Sequence, residues 1–336
     1  MTRRQDWCSR RPIRGSVLIY VVWMIVLLLS MFAAGVASRA LFVLDLSKRL
    51  SEQLRAAYIS RGAVEYATVV LGKDAAPSVD ALNERWADDE SSFHDHPLAG
   101  GTFSIIADHE GGVARYGLSD EERRISLNSA PAEVLEQLLE TTGGMRVEDA
   151  KEAAAAIEDW RDPDTDQRPR GAEGFYYHSL DQAYDCKDGP FENVEELLLV
   201  KGITPDVYQR VEPYVTVFGS GRVNINTASL PVLRALGLSD VGVDGVRYFR
   251  AGDDNVDRTP DDRRLISVGV LESELKAYVP VEDIVRLKHL AQEQFLTTGS
   301  TVFRMTIEAQ METPVSHMQA FCVIDRKGTI KQWVLR

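Results

Sequence analysis

Apolar positions fall into three regimes along the 336 residues. From Gly15 to Ser38 the run GSVLIYVVWMIVLLLSMFAAGVAS holds no charged side chain. As a helix, about 24 residues suffice to cross a bilayer core of about 30 Å. After Arg39 the apolar residues thin to Leu50, Leu54, Ala57, Val64, Ala67 and Leu71, with Lys48, Arg49, Glu52, Arg55 and Arg61 between them. That spacing is a stripe along one face of a helix, and no proline interrupts it between Pro12 and Pro77. The pattern predicts one helix over 16–71, about 84 Å long, of which about 50 Å extends past the bilayer. Its six striped residues are the candidate partner-binding face.

A period of two marks a second regime. Alternation predicts strands at 102–108, 113–118 and 301–311, then 317–325 and 329–335, with turns at Gly111-Gly112 and Lys327-Gly328. The stretch 123–128 is expected to extend this sheet. Residues 72–101 read as a polar loop with one short helix. The material between the two strand groups is helical in pattern, so the fold class is α+β: a helical domain inserted into a small antiparallel sheet. The expected boundaries are a leader at 1–15, the long helix at 16–71 and a first sheet part at 72–124. The insertion follows at 125–298 and the closing strands at 299–336.

The insertion contains an internal echo. ISLNSAPAEVL at 125–135 aligns with VNINTASLPVL at 223–233, pairing Asn128 with Asn226 and Ser129 with Thr227. Asn followed by a hydroxyl residue predicts a helix start. Between the copies, VEELLLVKGITPDVYQRV resembles a helix-hairpin-helix with Gly202 at the turn. Such units often bind DNA, but the charge opposes it. The chain has 38 Lys plus Arg against 51 Asp plus Glu, a net −13. Five arginines and one aspartate precede Ser16, a local +4, so the remainder is −13 − 4 = −17. Phosphate binding needs clustered cations, and no nucleic-acid partner is expected.

The same asymmetry orients the chain. Basic residues ahead of the apolar run keep the N-terminus cytoplasmic and send the acidic bulk across the inner membrane to the periplasm. Cleavage by an ordinary signal peptidase near Ser38 is opposed by the length of the run. Three cysteines exclude a disulfide scaffold and a tetra-cysteine zinc site. Cys8 falls in the leader, and Cys186 and Cys322 are expected as separate thiols. No nucleophile elbow, P-loop, zinc-protease helix or dinucleotide fingerprint occurs, and no enzyme is expected.

The densest carboxylates lie in DWRDPDTDQRPRGAE, with Asp159, Asp162, Asp164, Asp166 and Glu173. With Asp162 as position one, Asp164, Asp166 and Glu173 stand third, fifth and twelfth, the ligand spacing of a calcium loop. Gln167 replaces the turn glycine, and Pro163 and Pro169 stiffen the loop, so on spacing alone a solvated acidic loop is the better reading. A second stretch, GDDNVDRTPDDRR, reads as a surface loop with internal ion pairs. Asp185 and Asp188 are weaker candidates for a second ion, and His94-Asp95-His96 reads as an exposed loop.

The order of these segments resembles one family. A short basic leader ending at Gly15, with Ser16 opening an apolar helix in RGSVLIY, looks like the class III signal cut by prepilin peptidase in type IV pilins and type II secretion pseudopilins. LNSAPAEVL, DWRDPDTDQRPRGAEGFYY, PFENVEELLLVKGI and VNINTASLPVL then follow in the order seen in K-type minor pseudopilins. Those members lack the glutamate that pilins carry at the fifth mature position, which here is Tyr20. The resemblance implies a pilin-like fold with an inserted α-helical domain and cleavage between Gly15 and Ser16. It also implies I- and J-type minor pseudopilin partners and a place at the pseudopilus tip. It further implies structural calcium in the insertion, although Gly174 stands where the family often has another acidic residue. A minor pilin of a type IV pilus or DNA-uptake machine is the alternative, and a membrane-anchored DNA-binding protein a more distant one.

Overall fold

The computed structural model describes residues 14–110, 113–312 and 315–335. Most of the expected leader, with Cys8, and the expected turn at Gly111-Gly112 lie outside the described residues. Two compact units divide the chain, Met1–Arg55 and Ala56–Arg336. Helix α1, Arg14–Gly72, begins in the first. Gly15 and Ser16 fall in its opening turn. Every side chain from Val17 to Leu50 is exposed, and the helix is long and apolar enough to cross a membrane. Water disfavours such a surface and lipid does not.

In the second unit the helix turns amphipathic and packs on the sheet. Ala56, Ile59, Ala63, Val64, Ala67 and Leu71 share a core with Phe103, Ile105, Met305, Ile307, Ala320 and Cys322. This corrects the expected partner-binding face: Val64, Ala67 and Leu71 are fully buried in the chain's own core, while Leu50 and Leu54 stay exposed and Ala57 half-buried.

A short helix α2 (Glu90–Phe93) leads into β1 (His96–Leu98), β2 (Gly101–Glu110), β3 (Val113–Tyr116) and β4 (Ser119–Asp120). The chain closes with β9 (Val302–Glu312), β10 (Val315–Asp325) and β11 (Ile330–Leu335). These seven strands form one sheet in the order β1-β2-β9-β10-β11, with β3 on β2 and β4 on β9. All pairs are antiparallel, so the expected α+β class holds.

Between β4 and β9 lies the helical domain, with its own core. It opens with β5 (Ile125–Ser126), α3 (Ala132–Thr141), α4 (Val147–Arg161), α5 (Gly174–His178), α6 (Pro205–Val211) and β6 (Val215–Thr216). It continues with β7 (Val223–Asn224), α7 (Leu230–Ala235), α8 (Asp240–Arg250), α9 (Leu271–Leu275), α10 (Val281–Gln292) and β8 (Leu296–Thr297). The stretch 123–128 therefore does not extend the antiparallel sheet. β5 pairs with β6, and β7 with β8, each in parallel. A parallel pair needs a long crossover, and each crossover here opens with one copy of the echoed sequence.

The echoed asparagines do not cap helices; Pro131 and Ser229 hold the N-cap positions of α3 and α7. Each asparagine instead brackets a distant residue. Asn128 accepts from Phe191 N at 2.7 Å and donates to Phe191 O at 3.0 Å. Asn226 accepts from Leu265 N at 2.8 Å and donates to Leu265 O at 3.0 Å. The hairpin between them is one 3-10 helix, Val194–Leu199, followed by α6.

A buried polar seam joins the helical domain to the sheet. Asp120 Oδ2 accepts from Ser300 Oγ at 2.5 Å, Thr227 Oγ1 at 2.8 Å and Asn224 Nδ2 at 3.2 Å. Glu121 pairs with Arg304, and Asp80 pairs with Arg326. Buried carboxylates persist only when so satisfied. Cys186 and Cys322 are both buried and both free, as expected.

Candidate metal centre

The acidic loop leaves the end of α4 and returns at α5. Asp159, in the last turn of α4, is fully buried and holds the loop's own backbone. It accepts from Ala172 N at 2.8 Å, Arg168 N at 3.2 Å and the Arg168 guanidinium at 3.0 Å. Gly171 sits so close that a Cβ there would overlap this carboxylate. Asp159 is thus a loop anchor, and this corrects its place in the expected ligand set. Asp166 is exposed, and its N–H closes a turn onto Asp164 Oδ1 at 2.9 Å. It too lies outside the converging group.

The other three do converge. Asp162, Asp164 and Glu173 each bring an oxygen within 4.8 Å of the others. A second group overlaps it at Glu173, which with Cys186 and Asp188 meets the same limit. Asp188 comes from the later loop ahead of Gly189-Pro190, and no spacing rule ties it to Glu173. The sequence offers it, with Asp185, only as a weaker candidate for a second ion, and the fold brings it to Glu173.

Four oxygens of this cluster are buried without any hydrogen-bond partner: both of Glu173, Asp162 Oδ1 and Asp188 Oδ1. A buried, unsatisfied acceptor costs about 1–3 kcal/mol, and more when charged. Converging carboxylate oxygens with nothing to accept from fit a hard divalent cation, and calcium before others because it accepts irregular oxygen shells. Burial pushes the Cys186 thiol up to about 12. Four carboxylates against this one thiol make the donor set oxygen-rich, which favours a hard cation over zinc or copper. Glu173 is pushed up to about 7, by burial first and then by the charges of Asp159 and Asp188. Arg168 meets part of this repulsion through an ion pair to Asp162 and a 3.3 Å contact to Glu158, and its own pKa rises as a result.

The remaining acidic clusters are closed. Asp261 accepts from Asp253 N at 2.8 Å and from Asp254 N at 3.2 Å, Asp262 from Arg258 N at 2.7 Å, and Arg263 pairs with Asp253. Asp74 and Asp80 share Arg326, while Glu84 holds Arg264 at 2.5 Å. His96 stacks on Tyr66 at 4.4 Å.

Comparison with known proteins places this arrangement. The family model for the type II secretion system (T2SS), protein K, matches residues 116–220, the stretch that contains the first repeat and the acidic loop. A type II secretion system protein K from Klebsiella pneumoniae is 28% identical over 228 residues, 66% of this chain and 68% of that one. One from Pseudomonas aeruginosa is 28% identical over 242 residues, covering 69% and 71%. The fold matches a chain of the solved GspK-GspI-GspJ complex from enterotoxigenic Escherichia coli at TM-score 0.63 and 18% identity. That match covers 86% of this chain and 99% of the other.

Together these matches support a K-type minor pseudopilin of the type II secretion system. Protein K is a minor pseudopilin of the secretion machine, a structural family, and the alternative of a type IV pilus or DNA-uptake subunit is not favoured. The hairpin that resembles a DNA-binding unit has a packing role in this chain. Gly202 takes the left-handed conformation at φ +86° and meets Ala153 of α4. Lys201 Nζ donates to Arg170 O at 3.1 Å and Gly171 O at 3.2 Å, so the hairpin braces the acidic loop.

Proposed function

We propose that this chain joins I- and J-type minor pseudopilins at the pseudopilus tip, where the complex initiates or caps the fibre during protein export. The observation that supports this most directly is α1: its first part exposes apolar side chains throughout, and Leu50 and Leu54 remain exposed where the stripe leaves the membrane stretch. A lone subunit leaves that surface uncovered, and equivalent helices of neighbouring subunits would cover it. The solved complex of a similar fold contains GspK with GspI and GspJ. In this reading prepilin peptidase cuts between Gly15 and Ser16. The N-terminus faces the cytoplasm, α1 crosses the inner membrane once, and the body lies in the periplasm. Tyr20 in place of the usual glutamate suits a subunit with no neighbour above it, because a buried carboxylate in lipid requires a partner.

Calcium held by Asp162, Asp164, Glu173 and Asp188 would fix the loop between α4 and α5 against self-repulsion. The role is structural.

The test is co-expression of the full chain with prepilin peptidase and the I and J proteins of the same genome, followed by mild detergent extraction. The expected result is a mature terminus at Ser16 and a co-purifying complex that Leu50→Glu with Leu54→Glu breaks. An uncut chain, or a complex indifferent to both substitutions, would overturn the assembly reading.

A further inference from the structure

The two repeats of the helical domain hold a matched pair of arginines. Arg161 ends α4 and donates to Leu127 O at 2.6 Å and Ala130 O at 2.8 Å. Arg250 ends α8 and donates to Ala228 O at 2.6 Å and to Ile225 O. These carbonyls occupy the same positions in the two copies of the echo. Their electrostatic settings differ. Three residues before Arg161 stands Glu158, whose carboxylate lies 3.4 Å from the guanidinium. Three residues before Arg250 stands Arg247.

Among the described residues no carboxylate oxygen lies within hydrogen-bond or ion-pair distance of Arg250, and its Nε is buried without a partner. Burial pushes its pKa down to about 10, with the Arg123 charge adding to the effect and Asp257 and Asp120 opposing it.

Arg250 lines a cleft of about 730 Å³ between α7, α8, the Glu212–Tyr214 turn and the sheet at Arg304. Seven of the 20 lining residues are arginines against three carboxylates, Glu212, Asp257 and Asp262, a local +4 on a chain of net −13. Several arginines have partners of their own. Arg304 pairs with the buried Glu121. Arg234 meets Asp240 at 3.0 Å and Arg247 meets Asp244 at 3.8 Å, both at exposed sites where a pair contributes little and a ligand can compete. Leu82, Tyr214, Leu230 and Pro231 supply apolar wall between the charges.

We propose that this cleft binds an acidic peptide segment whose carboxylates meet Arg250, Arg247 and Arg234 while interspersed apolar side chains cover Leu230 and Tyr214. The carboxylate that the first repeat provides from its own helix is supplied in the second by the ligand. Guanidinium forks match carboxylates in a bidentate fashion, and the cleft has the size of ordinary ligand sites. A bare inorganic anion would engage the arginines and leave the apolar wall uncovered. The site does not depend on pseudopilus assembly, so it can be tested on the isolated full chain.

The experiment is fluorescence anisotropy of a labelled peptide of alternating Glu and Leu, with the full chain in a non-ionic detergent. A peptide with Gln in place of Glu is the control. Saturable binding is expected with the Glu peptide alone, weakening at least about tenfold as salt rises from about 50 to about 300 mM. Arg234→Glu with Arg247→Glu should remove it while the melting temperature is kept. Should that pair unfold, Arg234→Gln gives the same readout from a single half-exposed side chain. Equal binding of the Gln peptide, or full binding by a folded rim variant, overturns the proposal. So does saturable binding of inorganic phosphate or duplex DNA where the Glu peptide shows none.

Discussion

Asn226 and Leu265 are joined at two points, the side-chain amide of one closing on the backbone N–H and C=O of the other. A neutral amide offers donor and acceptor side by side, and Asn226 is 3% exposed, so water cannot replace it. Asn226→Ala should destabilise the chain by about 2–4 kcal/mol, because two buried backbone groups lose their partner. Asn226→Asp should cost at least as much, since a carboxylate would face Leu265 O. The half-buried Asn128 should be more forgiving at its Phe191 clamp. Urea unfolding of the full chain in detergent reads all three, and an unmoved Asn226→Ala transition would show that the clamp is dispensable.

Gly202 gives a backbone test of the hairpin's packing role. Its φ of +86° is one that side-chain-bearing residues rarely adopt, and a Cβ would press on Ala153 at 3.3 Å. Gly202→Ala should therefore cost about 1–3 kcal/mol. Increased proteolysis at the acidic loop is expected as well, because Lys201 of the same turn holds Gly171 O. A variant as stable and as resistant as the unaltered chain would remove the hairpin from the loop's support.

The sequence made the long helix legible because charge-free length and the later stripe are local signals. The outer strands followed from alternation. Residues 123–128 misled because Ile125 and Ser126 pair in parallel with Val215 and Thr216, some 90 residues on, and alternation does not report pairing direction. The echo revealed a duplication but not its purpose: an asparagine ahead of a hydroxyl looks like a cap until the clamped residue is seen. In the acidic loop, Asp159 counts as a donor by its place in the carboxylate cluster and Asp166 by its spacing. Neither signal could show that one carboxylate is committed to Ala172 N and Arg168 N, or that Asp188 would arrive from another loop.

Asp80 carries a pH signature. It is fully buried between Arg326 and Ser300 N at 2.6 Å, and burial pushes its pKa up to about 7, with Arg326 opposing and Asp120 adding to the shift. An acid whose folded pKa is raised contributes stability that is complete below its unfolded value near 4 and is lost as pH rises through 7. The loss is bounded at about 4 kcal/mol, from a shift in which the opposing Arg326 charge is already included. Glu122 shifts in the same direction, whereas Glu121, held down by Arg304, loses its contribution as pH falls. Asp80→Asn should flatten the decline between about pH 4 and 7 relative to the unaltered chain. Parallel pH profiles for the two proteins would show that Asp80 does not titrate in this window.

Calcium should separate the carboxylates of the loop by role. With calcium at about 100 times its dissociation constant, the unaltered chain should gain about 2.7 kcal/mol over its chelator-treated form, seen as a higher melting temperature. Asp162→Asn with Asp164→Asn should remove most of that gain. Glu173→Gln should also remove it, yet melt no lower than the unaltered chain in chelator, because it relieves two buried oxygens that accept nothing. Asp159→Asn should melt lower with or without calcium, having broken the anchor to Ala172 N and Arg168. Asp166→Asn should change little, since its carboxylate lies at an exposed turn outside the converging group. A calcium-independent melting curve for the unaltered chain would sink the metal assignment and leave Arg168 to balance the loop's charge.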